Sequence, residues 1–178
     1  MAEEIHLRDV VDDDLPIFFE QQLDPGANHM AAFTSRDPTD YDAFLAHWAR
    51  VRADETTINQ TILVDGAVAG NIACFSDFGE PDVGYWLGRE FWGRGIATRA
   101  LAAFLRQAQV RPIFARAAKD NMASLRVLQK CGFAIIGEDK GYSHARGQEV
   151  EEYILKLGAD TNGSDTDETD ETDDVKES

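Results

Sequence analysis

Apolar and polar positions along this chain recur with two different periods, and the changes of period divide it into elements. Ile5 to Arg8 alternates as a short strand, and Asp13 to Gln22 then carries acids in its first turn and Phe18 or Phe19 on an inward side, as a helix does. Pro25-Gly26 is expected to break that helix and leave a loop, Ala27 to Arg36, carrying His29, Met30 and Phe33. Asp37, with Pro38 at the first helical position, predicts a second helix through about Val51, on which Phe44, Leu45 and Trp48 recur at helical spacing. Two helices are thus expected before the main sheet.

From Thr57 onward strand-like runs take over. Thr57 to Val64 and Ala67 to Ser76 flank Asp65-Gly66, a pair that favours a type I′ hairpin turn, and a third antiparallel strand is expected from about Pro81 to Gly88. A helix over Gly95 to Gln109, a strand over Pro112 to Ala118 and a helix over Asn121 to Lys130 follow. Phe133 to Asp139 and Val150 to Leu157 read as the last strands. Strands alternating with helices predict an α/β fold, and neither an internal repeat nor an inter-domain linker interrupts it.

Composition narrows the class. At 178 residues and 43% hydrophobic the chain can bury one substantial core, which predicts one domain over residues 1–158. The formal charge is −16, and residues 159–178 hold half of it, with nine acids against one lysine and no aromatic residue. Such a segment cannot bury a core, so it is expected to be a disordered, solubilising acidic tail. The acidic body also argues against nucleic acid, because non-specific affinity comes mainly from neutralising phosphates. Cys74 and Cys131 fall in apolar segments and read as free thiols of a reducing compartment. An acidic N-terminus and the lack of any long apolar run lead to the expectation of a soluble, cytoplasmic protein without membrane contact.

Candidate chemistry starts at Gly93-Arg94-Gly95-Ile96-Ala97-Thr98, where a strand-like run passes through two glycines into an alanine- and leucine-rich helix. Backbone N–H groups at such a turn, together with the unpaired donors of the helix that follows, favour phosphate. A Walker loop would place Lys and Ser/Thr after the final glycine, and Gly95 is followed by Ile96 and Ala97. A dinucleotide fingerprint would place a third glycine where Thr98 stands, near the start of a βαβ unit. A second segment, Asn121 to Phe133, reads as a capped helix stopped by Gly132, with Leu125 and Leu128 on one face.

Asn121, Ser124, Val127, Leu128, Lys130, Gly132 and Phe133, set about two dozen residues after GRGIAT, form a pattern that resembles the GNAT superfamily of acyl-CoA-dependent N-acetyltransferases. Tyr85-Trp86-Leu87-Gly88, the FWGRGIAT turn and the Ser three residues after the Asn are most similar to its RimJ/RimL-type branch, over roughly residues 5 to 157. The resemblance implies a mixed α+β fold whose central, mostly antiparallel sheet is splayed at the CoA site and flanked by helices. It also implies transfer of acetyl from acetyl-CoA to a primary amine, small molecule or peptide, by direct attack in a ternary complex. Main-chain groups around Trp86 and Leu87 are expected to pair with the pantetheine arm, and those of Gly93, Arg94, Gly95, Ile96, Ala97 and Thr98 to hold the pyrophosphate. Arg94 adds a candidate charge-assisted contact, and a homodimer is compatible with the family.

Three departures from the family pattern bear on catalysis. Trp92 stands where many members have Gln or Arg, and is expected to pack beneath the loop. Leu128 takes the place of a Tyr acid, leaving Ser124 as the donor to the departing sulfur, with Asn121 orienting the cofactor or a water. Arg116 takes the place of a carboxylate base, leaving Glu80, Asp82 and Glu90 as candidates that act through water. His6, His29, His47 and His144 lack metal-ligand spacing, so no metal is expected, although His29 and His144 lie in loops open to a substrate. Phe19, Phe33, Trp48 and Tyr142 are candidates for an acceptor pocket, and the acidic body leans toward a cationic acceptor. The vacant Tyr and carboxylate places keep open a CoA-binding regulatory or interaction module that has lost turnover.

Overall fold

In the computed structural model residues 3–77 and 79–158 are described; the acidic segment 159–178 lies outside the described residues. The strands are β1 (Ile5–Asp9), β2 (Ile58–Val64), β3 (Ala67–Asp77), β4 (Glu80–Leu87), β5 (Ile113–Ala118), β6 (Ala134–Ser143) and β7 (Gln148–Leu157). They form one seven-stranded sheet in the order β1-β2-β3-β4-β5-β7-β6. Asp65 and Gly66 both take positive φ, 50° and 87°, as the β2–β3 hairpin requires. Every neighbouring pair is antiparallel except β4 and β5, whose one registered pair is Asp82↔Phe114. Beyond that pair the two strands part, leaving a fork whose exposed backbone needs partners from elsewhere.

The helices are α1 (Leu15–Gln22), α2 (Pro25–Ala31), α3 (Tyr41–Ala53), α4 (Ile96–Gln107) and α5 (Met122–Lys130). On α4, Ile96, Ala100, Leu101, Phe104 and Leu105 recur at helical spacing and are buried. They pack with Ile62, Ile72, Val83, Ile113 and Leu155 of the sheet and with Leu125 and Leu128 of α5, forming the main core. Strand alternation sends the intervening residues to the opposite face, where α1 and α3 contribute Phe18, Phe44 and Trp48 to a second cluster. Asp14 joins β1 and β2 to the turn that precedes α1. Its buried carboxylate receives both arms of Arg8 at 2.7 and 2.9 Å, the Val11 N–H at 3.0 Å and the Thr61 hydroxyl at 2.7 Å. Burial pushes this carboxyl upward, but those donors outweigh it and hold it below the usual carboxylate range.

Three sequence expectations need correction. Pro25 does not break α1 into a loop; it starts α2, and Asp24 caps that helix by accepting from Gly26 N and Ala27 N at 2.9 and 3.3 Å. A proline costs nothing at the first helical position, where its missing N–H has no helical partner. Asp37 likewise does not cap α3. It closes a turn on the Thr39 N–H and hydroxyl at 3.0 and 2.6 Å, and Asp40 is the cap, accepting from Ala43 N at 3.0 Å. Three helices therefore precede β2, and Leu45, expected on the inner face of α3, is exposed while Phe44 and Trp48 are buried.

Candidate active site

Two cavities meet at the β4–β5 fork. The first, of about 600 Å³, is lined by Tyr85, Trp86 and Leu87 of β4, by Gly93 and Gly95–Thr98, and by Asn121, Ser124 and further residues of α5. The second, of about 850 Å³, lies between α3 and the sheet, with Phe44 and Trp48 on one side and Asn71, Ala73 and Gly84 on the other. Tyr85 and Trp86 are the residues common to both linings. Helix α2 forms a partition, since Asn28 lines the second cavity while Ala27 and Met30 line the first. The helix is pinned there by Arg89, which forks onto Asp24 at 2.7 and 2.8 Å, and by Arg146, which donates to the His29 carbonyl at 2.7 Å.

The first cavity has the donor set of an anion site. Gly93 and Gly95 take φ of 74° and 75°, a left-handed conformation that favours glycine, and Gly95 caps α4 with no side-chain acceptor. The first N–H groups of α4 therefore lack internal partners at residues 96–98, which line the cavity. They add the positive end of the helix dipole. Arg94 is engaged elsewhere: it pairs with Glu3, donates to the Glu90 carbonyl at 3.0 Å and does not line the cavity. Trp92 does not pack beneath the loop, being 38% exposed, but its indole N–H donates to the Leu87 carbonyl at 3.0 Å and braces the loop against the end of β4.

At the inner end of the same cavity, Asn121 caps α5 by accepting from Ser124 N at 3.2 Å, while its amide donates to the Met30 carbonyl at 3.3 Å. The Ser124 hydroxyl is not spent on its own helix. Its Oγ lies 3.0 Å from the Tyr85 hydroxyl across the fork. Burial raises the Tyr85 phenol to about 12, against the opposing hydrogen bond from Ser124, so it stays protonated at neutral pH. In the sequence Tyr85 stands out only as part of the YWLG resemblance and with no role at the site, because only the tertiary structure brings residue 85 to residue 124.

The three candidate carboxylates differ sharply in setting. Glu80 and Glu90 are exposed and line neither cavity. Asp82 also lines neither cavity, but it is buried at the registered pair of the fork, on the same face of β4 as Gly84, which lines the second cavity. Desolvation, reinforced by the nearby charge of Asp77 and opposed by Arg116, pushes its carboxyl up to about 6. Of the proposed acceptor residues, Phe33 and Trp48 line the second cavity, whereas Phe19 packs on Tyr41 and Phe44 and Tyr142 is exposed outside it. Neither His29 nor His144 lines either of these two cavities. Among the described residues no group of three or more His, Cys, Asp or Glu is placed to hold a metal, and no helix is long and apolar enough to cross a membrane.

Comparison with known proteins places the chain in a family. Residues 4–134 match the family model described as the acetyltransferase (GNAT) domain. An uncharacterized N-acetyltransferase, p20 of Bacillus licheniformis, is 28% identical over 83 residues, 44% of this chain and 47% of that protein, so the match spans about half of that relative's length. YdaF of Bacillus subtilis (strain 168), whose name as a ribosomal N-acetyltransferase is itself provisional, is 26% identical over 126 residues, 65% of this chain and 69% of that one. The solved structure of Mycobacterium smegmatis RimJ in complex with CoA-disulfide has the same fold, with a TM-score of 0.74 and 24% identity over 87% of this chain and 82% of that one. With its glycine cradle, forked sheet and matched domain, the chain belongs to the GNAT acetyltransferase family, and these relatives agree with a RimJ/RimL-like branch.

Proposed function

We propose that this protein transfers acetyl from acetyl-CoA to a primary amine by direct attack within a ternary complex. The observation that carries the reading is the meeting of the two cavities at Tyr85 and Trp86, one with an anion cradle and one lined by aromatic and amide side chains. Acetyl-CoA supplies an acyl group already activated as a thioester. The N–H groups from Gly93 to Thr98 hold the pyrophosphate, the β4 edge at Trp86 and Leu87 takes the pantetheine arm, and Asn121 and Ser124 flank it. The fork leaves β4 without a β5 partner there, so an extended arm restores strand pairing.

Two proton steps remain for the chain's own residues. Asp82 takes the proton lost by the attacking amine, through a water, because a carboxylate raised to about 6 is mostly ionised at neutral pH yet far more basic than an exposed one. Successive residues on one strand face stand about 7 Å apart, which one water spans between Asp82 and the cavity wall at Gly84. Ser124, held by the Tyr85 hydroxyl at 3.0 Å, donates a hydrogen bond to the sulfur as negative charge develops on it. A thiol is a stronger acid than the Tyr85 phenol, so the pair stabilises the thiolate by hydrogen bonding and solvent returns its proton. Glu80 and Glu90 would serve only as a solvent-side relay.

The acceptor cavity refines the substrate class. Its walls carry Phe18, Phe33, Phe44, Trp48 and Phe75, with Asn59 and Asn71 as hydrogen-bonding groups, and its charged residues are Arg50 and Asp54. An amine on a largely uncharged, partly apolar body, such as a peptide N-terminus, fits those walls better than a polycation, despite the acidic surface. Two free thiols, Cys74 and Cys131, support action in the cytoplasm. Release of free thiol with a panel of amines tests the reading. A CoA-binding module without turnover is favoured by Leu128, which is buried in the core at the place where the family resemblance implies a Tyr acid, and it would bind acetyl-CoA and release no thiol above background.

A further inference from the structure

The turn between β6 and β7 lines neither cavity, yet it holds both walls of the first one at the inner end. Arg146, in that turn, has a side chain only 7% exposed, and all three guanidinium nitrogens are used. Its Nε donates to the His29 carbonyl of α2 at 2.7 Å, and its two terminal nitrogens fork onto the Asp120 carboxylate at 2.8 and 2.9 Å. Asp120 immediately precedes Asn121, the N-cap of α5. One planar cation therefore spans from α2 to the start of α5 in a fixed geometry.

A second rung lies beside the first, from the Asn121 amide to the Met30 carbonyl at 3.3 Å. It joins neutral groups over a longer distance, so the charged rung is the stronger of the two. The turn is itself fastened to α2, because the Ser143 hydroxyl donates to the Ala32 carbonyl and accepts from the Arg146 N–H at 3.1 Å. Ala32 is fully buried and holds φ at 67°, a conformation that alanine keeps only where its surroundings impose it. Helix α2 has seven residues, too few to be stable alone, so its position depends on these ties.

The two tied elements face each other across the cleft. Ala27, Met30 and Ala31 of α2 form one wall, and Asn121 and Ser124 belong to the other. Among the described residues no hydrogen bond joins the β6–β7 turn to the glycine cradle. We propose that Arg146 is a positioning residue: through His29 and Asp120 it sets the spacing of α2 and α5, and with it the alignment of the acceptor amine on the thioester beside Ser124. The assignment rests on the acetyl-transfer reading. Loosening the spacing costs rate, while the separate cradle keeps the coenzyme.

The test compares the full chain with R146M, which keeps the apolar stem and removes every donor, and with D120N, which weakens the same fork at an exposed position. R8M is the stability control, since it breaks the Arg8–Asp14 pair and neither residue lines these cavities. R146M is expected to lower kcat by about 10- to 100-fold, and D120N by about threefold, with acetyl-CoA affinity by titration calorimetry within about threefold of wild type. Amide hydrogen exchange is expected to quicken in α2 and at the start of α5 in both variants and to stay unchanged in α4. R8M is expected to lower Tm and to keep kcat within about twofold. A kcat loss no larger than that of R8M would overturn the assignment, as would unchanged exchange in α2 or a loss of acetyl-CoA affinity that matches the loss of rate. If wild type binds acetyl-CoA and releases no thiol with any amine, the acetyl-transfer reading fails, and exchange in α2 alone then decides whether Arg146 sets the spacing.

Discussion

Replacing Asp82 with Asn removes a charge and keeps the shape, and the structure predicts opposite effects on rate and on stability. The carboxyl is raised from its ordinary value of 3.8 to about 6 by desolvation and by the repulsion of Asp77, with Arg116 offsetting part of it. That difference corresponds to about 3 kcal/mol at 25 °C. Because the folded state binds the proton more tightly than the unfolded one, stability is full below about 3.8, falls as pH rises from there to about 6, and stays reduced above. Asp82→Asn should therefore be more stable than wild type at pH 7.5, by up to about 3 kcal/mol or roughly 6–12 °C in Tm, and no more stable near pH 3.5. The same change should lower kcat/KM by about 10²- to 10³-fold and abolish the acid limb expected of wild type near pH 6. Initial rates of thiol release from pH 5 to 9, paired with thermal unfolding across the same range, measure both. A variant that keeps the wild-type acid limb and rate would refute the base assignment, and one that is less stable at pH 7.5 would refute the desolvation argument beneath it.

Ser124→Ala should reduce kcat by roughly 10- to 100-fold while leaving acetyl-CoA affinity within about threefold, and adding Tyr85→Phe should cost little more, because the two hydroxyls act as one donor; steady-state kinetics of the single and double variants read this directly. Gly95→Glu should weaken CoA binding by at least about 100-fold, since its carboxylate would meet the phosphates at a helix N-terminus, whereas Gly95→Ala should cost mainly backbone strain at φ 75° and keep affinity within about tenfold by titration calorimetry. Asp14→Asn should destabilise the fold by about 2 kcal/mol near neutral pH, or roughly 4–8 °C in Tm, because Arg8 and the Val11 N–H lose a charged acceptor. The deficit should close as pH falls through the depressed value of the folded carboxyl, where wild type is protonated too.

Features whose cause lies within a few residues were legible in the sequence. Asp65-Gly66 set the hairpin, Gly93 and Gly95 set the cradle, and Asn121 set the start of α5, each through backbone preferences that act locally. Pro25 misled because one residue type serves two local purposes, as a breaker inside a helix and as a good first residue, and Asp24 decided between them. Contacts across the fold were not legible. Arg94 is captured by Glu3 from 91 residues away, so a cation beside the cradle is turned to structural use. Tyr85 meets Ser124 across 39 residues, and the raised carboxyl of Asp82 comes from burial in the folded sheet and from the charge of Asp77, which no periodicity describes. The cleft was thus readable as a donor set of backbone groups, with Ser124 and Asp82 among its candidate side chains, while the Tyr85 partner of Ser124 and the choice of Asp82 over Glu80 and Glu90 emerged only once β4 and α5 stood on either side of it.

Amine-dependent release of CoA thiol from acetyl-CoA, with mass spectrometry of the acceptor, tests the central claim most directly. The account predicts that thiol appears in step with an acetylated primary amine and that no acetylated enzyme accumulates when the amine is withheld. Tight acetyl-CoA binding with no amine-dependent thiol release across peptide N-termini, apolar monoamines and polyamines would contradict it.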